Sequence, residues 1–143
     1  MEGMKAALLV ESLTGNTWKA AEMVAGHLQE EGWSIAGLDA LRKPNHSALQ
    51  DADLVMIGTW VHGAFIIGQA PWAIGAINAL PSIGGKKVVN FCTFALNPGR
   101  TLGAMEKAAV RLGGDVVGGM ALHRSKLAAH TEEFAARLVG ALV

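Results

Sequence analysis

Five short apolar runs, separated by helical patterns or short crossovers, constrain this chain more than any other feature. They are Lys5–Val10, Ser34–Leu38, Leu54–Gly58, Lys87–Phe91 and Val116–Leu122, the last weakened by Gly118 and Gly119. Leu54–Gly58 is apolar without alternation, as a strand buried on both faces requires. Helical periodicity runs from about Thr17 to Glu31, with Ala20, Met23, Val24, His27 and Leu28 on the inner face and Gly32 as the stop. It returns near Pro71–Leu80, Arg100–Leu112 and Lys126–Leu142, while the crossover Asp39–Ala52 has room for a single turn near Ser47–Gln50. Strand and helix in alternation predict a parallel sheet covered on both sides, with right-handed crossovers. The expected fold is a doubly wound α/β domain spanning residues 1–143, a length that buries one core.

Composition narrows the function classes. Twelve basic and twelve acidic residues cancel, which argues against nucleic acid or an anionic membrane surface as a partner. Eight of the acids but only four of the bases fall in residues 1–71, and the second half reverses the ratio. One cysteine, Cys92, excludes an internal disulfide framework and fits a reducing, cytoplasmic setting. No charge occurs between Asp53 and Lys86, yet Gly58, His62, Gly63, Gly68, Pro71, Gly75 and Pro81 interrupt every candidate membrane span. A buried strand, an apolar loop and a helix against the sheet are expected there.

The junction after the first run carries the chemistry. Ser12-Leu13-Thr14-Gly15-Asn16-Thr17 leads from an apolar strand into a helix. A helix N-terminus presents backbone N–H groups and partial positive charge, the hydroxyls add donors, and a glycine lets the backbone come close to a ligand. A nucleoside-triphosphate loop needs Gly-Lys-Ser/Thr, and a dinucleotide fingerprint needs three spaced glycines; neither is present. A neutral set of donors suits a terminal phosphate monoester. Equally, Ser or Thr at an N-cap with a glycine in the turn precedes many helices that bind nothing.

That motif resembles the phosphate loop of flavodoxins, Thr/Ser-x-Thr-Gly-x-Thr. Two further stretches fall where the same family places its other flavin loops: Thr59-Trp60-Val61-His62-Gly63 after the third strand, and Phe91-Cys92-Thr93-Phe94-Ala95-Leu96-Asn97-Pro98 after the fourth. The resemblance covers essentially the whole chain and is similar to the short-chain branch. It implies a five-stranded parallel sheet in the order 2-1-3-4-5, FMN as cofactor, and electron transfer between protein redox partners. Carried over by residue, it implies that Ser12, Leu13, Thr14, Gly15, Asn16 and Thr17 bind the phosphate. Thr59 would lie near the ribityl chain or ring edge, with Trp60 stacked on one flavin face. Val61, His62 and Gly63 complete the second loop, and Thr93, Phe94, Ala95, Leu96 and Asn97 form the third.

The departures are informative too. The chain has no tyrosine to cover the outer flavin face, lacks the strongly acidic balance of flavodoxins, and carries His62 where acids are often found. The residue after the tryptophan is often glycine in flavodoxins, and its peptide turns over when the flavin gains its first electron. A β-branched Val61 resists the positive φ this needs, by about 1–2 kcal/mol, or roughly 40–90 mV for one electron. The two electrons are therefore expected to enter at close potentials. Two alternatives stand beside the carrier: an FMN oxidoreductase acting on a quinone or porphyrin-type substrate, and a flavin-free interaction module. The uncharged segment Phe65–Trp72, if exposed, suits a protein partner, a quinone or a second copy. Cys92 reads as a buried small hydrophobe, and Trp18 and Trp33 as partly exposed packing residues. The scattered histidines show no metal-ligand spacing.

Overall fold

A computed structural model describes residues 3–11, 15–62, 70–71, 74–81, 83–95 and 97–142. The elements run β1 (Lys5–Val10), α1 (Asn16–Glu30), β2 (Ser34–Ala40), α2 (His46–Asp51), β3 (Leu54–His62) and β4 (Ala70–Pro71). They continue with α3 (Ile74–Asn78), β5 (Lys87–Phe94), α4 (Thr101–Arg111), β6 (Asp115–His123) and α5 (Leu127–Leu142). The main sheet has the order β2-β1-β3-β5-β6 with every neighbouring pair parallel. Counting its five long strands alone, this is the expected 2-1-3-4-5 arrangement.

Two-sided burial follows from strand alternation. Successive side chains point to opposite faces. Ala7, Leu9, Val55, Ile57, Val88 and Cys92 therefore join one core with α2, α3 and α4. Ala6, Leu8, Val10, Leu54, Met56, Val89 and Phe91 join a second core with α1 and α5. Gly58 belongs to this packing: a Cβ built there would run into the Phe91 ring, so only glycine admits that aromatic.

Several expectations need correction. The third and fourth runs are longer than their apolar stretches imply, reaching His62 and Phe94. Thr59, Trp60, Thr93 and Phe94 are thus strand residues, held by the pairs Thr59↔Cys92, Trp60↔Thr93 and Phe94↔His123. The helix expected over Pro71–Leu80 is only Ile74–Asn78, because Ala70 and Pro71 instead pair antiparallel with His62 and Val61. Proline is tolerated there because β4 is a two-residue edge piece. On α1, Thr17, Ala21 and Ala25 are buried with Ala20, Val24 and Leu28, whereas Met23 and His27 are only half-buried. Trp33 is not partly exposed: it is 3% exposed within the α1/α5 core, and its Nε1 has no hydrogen-bond partner among the described residues.

Candidate functional site at the carboxyl ends of the strands

In a doubly wound sheet, ligands bind beyond the carboxyl ends of the strands where strand order reverses, which here is between β1 and β3. The helix leaving β1 begins at Asn16, with Gly15 as N-cap at φ 91°. The cap is therefore a left-handed glycine rather than a serine or threonine, and makes no side-chain capping bond. Within the first turn, Thr17 is fully buried, and its Oγ1 lies 2.7 Å from Oγ1 of Thr93 near the end of β5. Either hydroxyl can donate. This bond ties the first turn of α1 to the strand two places along the sheet.

Beside that bridge lies a cavity of about 190 Å³, lined by Asn16, Trp60, Val61, Thr93, Phe94, Ala95 and Arg124. Six of these seven residues belong to the three stretches singled out in the sequence. Arg124 does not. It reaches the site because its backbone N–H donates to the Phe94 carbonyl (2.9 Å) where β6 turns towards α5. The turn is braced around His123: its ring packs edge-on against Phe94 (centroids 5.0 Å), and its Nδ1 lies 2.7 Å from the Ser125 hydroxyl. A basic residue one position past the last strand was the available signal for Arg124; only the β5–β6 register says that it meets Phe94.

Other expected site residues stand apart from this cavity. Thr59 is fully buried and its hydroxyl donates to the Trp60 carbonyl at 3.4 Å, so it supports the strand end rather than lining the cavity. Asn97 is exposed, its Oδ1 accepting from the Gly99 N–H at 2.7 Å in a local turn. Ser12, Leu13, Thr14, Gly63 and Leu96 lie outside the described residues, as do residues 65–69, 72 and the side chain of His62.

Among the described residues the lining combines two aromatic side chains, neutral donors at Asn16 and Thr93, and one guanidinium, with no carboxylate. That chemistry fits a planar aromatic bearing an anionic tail. Cys92, one residue before Thr93, faces the core, and burial pushes its thiol up from 9.0 to about 12. It is a packing residue without thiolate character at neutral pH. Among the described residues, no cluster of three or more His, Cys, Asp or Glu could hold a metal, and no helix is long and apolar enough to cross a membrane.

A family model described as a flavodoxin domain matches residues 7–114. The chain belongs to the flavodoxin family. Its cofactor is FMN, and its class is that of flavoproteins in electron transport. Oxidised flavodoxin 1 from Bacillus cereus is similar over 97% of this chain and 99% of its own length, at 22% identity and a TM-score of 0.72. Two-electron reduced Megasphaera elsdenii flavodoxin is similar over 92% and 98% of the two chains, at 17% identity and a TM-score of 0.69. Rubredoxin oxygen:oxidoreductase from Desulfovibrio gigas contains the fold within a longer protein. The similarity covers 99% of this chain but 38% of that one, at 18% identity and a TM-score of 0.68. At these identities the structures testify to the fold. A search of curated proteins finds no significant match.

Proposed function

We propose that residues 1–143 act as one flavodoxin-like domain that holds FMN at the ends of β1, β3 and β5 and passes electrons between cytoplasmic redox proteins. The observation that carries this reading is the single cavity shared by Asn16, Trp60, Val61 and Thr93–Ala95. In it, Asn16 and the first turn of α1, with Ser12 to Thr14, bind the phosphate. Trp60 stacks on one ring face and Phe94 borders the ring. The Thr17–Thr93 bond holds the two sides in register. FMN supplies the one- and two-electron chemistry; the protein supplies orientation and electrostatics.

The experiment compares FMN with riboflavin by fluorescence titration. Hydrogen bonds to a charged group contribute about 1.5–3 kcal/mol each, so removal of the phosphate should weaken binding by orders of magnitude. Equal affinities would refute the phosphate assignment. Trp60→Ala should weaken binding by about 0.5–1.5 kcal/mol and restore part of the quenched flavin fluorescence. No change in either would make Trp60 a packing residue.

One observation favours the second reading, an FMN oxidoreductase acting directly on a quinone or porphyrin-type substrate. Val61 lies inside β3 and pairs with Pro71, so its peptide is held extended by strand pairing as well as by its β-branch. Turning that peptide over costs both, which brings the two reduction potentials together. Stepwise anaerobic reduction followed by absorbance should show the two electrons entering nearly together, with Val61→Gly separating them. Two well-separated steps in the unmutated protein would leave the carrier reading alone.

A further inference from the structure

The sheet ends at β6, and apart from one bulge and the charges at its two ends the outer edge of that strand carries none of the usual protecting devices. Natural edges are blunted by charges, proline, bulges or short length. β6 is nine residues long, and from Val116 to Leu122 it carries no charged side chain. Gly118 and Gly119 are exposed, as are Val117 of the same strand (40%) and Val110 of α4 (56%). The register against β5 shifts between Val88 and Val89, which leaves a bulge at Val117; from Gly118 to His123 the pairing is regular. Above the glycine pair, between α4 and β6, is a cavity of about 310 Å³ lined by Asn90, Leu102, Glu106 and Val116–Gly119 among others. Asn90 is 2% exposed, and its Oδ1 has no hydrogen-bond partner among the described residues.

The charges at the two ends of this edge choose the occupant. Asp115 opens the strand; Arg124, exposed at the rim of the candidate cofactor cavity, closes it, with Lys126 just beyond. An identical strand running antiparallel sets the acidic end of each copy beside the basic end of the other, twice over. A parallel copy would set like against like. We propose that a second copy of this chain adds to β6 antiparallel, across a twofold axis near Gly118–Gly119, so that two sheets become one. The glycines let the backbones approach, and the mate's side chains cover Val117 and the gap under α4. Because the strands run oppositely, the two candidate cofactor sites face opposite ends of the pair and stay open to partners.

Sedimentation velocity from micromolar to near-millimolar protein tests this. The expected result is a monomer–dimer equilibrium that loosens with salt. A Cβ at Gly118 meets nothing within 4 Å, so Gly118→Lys should fold with an unchanged unfolding midpoint. It should weaken the dimer at least about tenfold, since it sets like charges together. Asp115→Lys should weaken it as well, and combining Asp115→Lys with Arg124→Glu should restore it to within about threefold. A monomer at every concentration, a dimer indifferent to Gly118→Lys, or a charge swap that fails to restore association would overturn the proposal.

Discussion

The two faces of the sheet are equally dry but differently covered. One lies under α1 and α5, helices of 15 and 16 residues that run the length of the strands. The other lies under α2, α3 and α4, of 6, 5 and 11 residues. Helices of five or six residues do not stand in water by themselves; they persist because the sheet buries one side of them. On the first face, stability comes from aromatic and aliphatic packing, including Phe91 against Phe134 at 5.8 Å between ring centroids. On the second, more of the chain is spent on connections, and the strand–strand piece β3–β4 at the site emerges there. The lesson is that one face acts as a foundation while the other is shaped to carry loops.

That contrast ranks the expected effects. The largest is Phe91→Ala, which empties the centre of the foundation and should cost about 3–5 kcal/mol in urea unfolding. Ile77→Ala, on the fully buried side of the short α3 itself, should cost less, because a five-residue helix can settle onto the space. An equal or larger loss at Ile77 would break the comparison. Gly58→Ala sharpens it from the opposite side. Its Cβ meets the Phe91 ring, so overpacking by about 1–3 kcal/mol is expected. The same substitution in a Phe91→Leu background should cost less than in the natural chain, and strict additivity would show that the ring is not what excludes the methyl.

Cys92 probes the second face through pH. Below pH 9 the thiol is protonated in both folded and unfolded chains and contributes no slope. Above the unfolded value of 9.0, the unfolded chain loses this proton while the folded one keeps it up to about 12. Stability should therefore fall relative to Cys92→Ala by about 1.4 kcal/mol per pH unit in that window. Parallel pH profiles for the two proteins between pH 9.5 and 11 would mean that the thiol meets water in the folded state. The smallest effect belongs to the outer surface of α5, where Glu133 and Arg137 pair at 3.2 Å with both side chains largely exposed. Glu133→Ala should change stability by less than about 0.5 kcal/mol, and salt should erase even that.

The sequence by itself determined the order and kind of the main elements. Apolar runs such as Leu54–Gly58 can satisfy both faces only inside a parallel sheet, and the donor-rich junction at Ser12–Thr17 can only follow its first strand. These are local properties of composition and period. Strand length was not local: Thr59, Trp60, Thr93 and Phe94 look like loop residues until they meet one another across β3, β5 and β6. Trp33 reads as a partly exposed packing residue flanking the first helix and lies in the core instead. The Thr17–Thr93 bond joins residues 76 apart, and Arg124 enters the cavity through a backbone bond to Phe94. Such contacts depend on which strands become neighbours and in what register. That is decided by the summed burial of the whole sheet, and no window of sequence contains it.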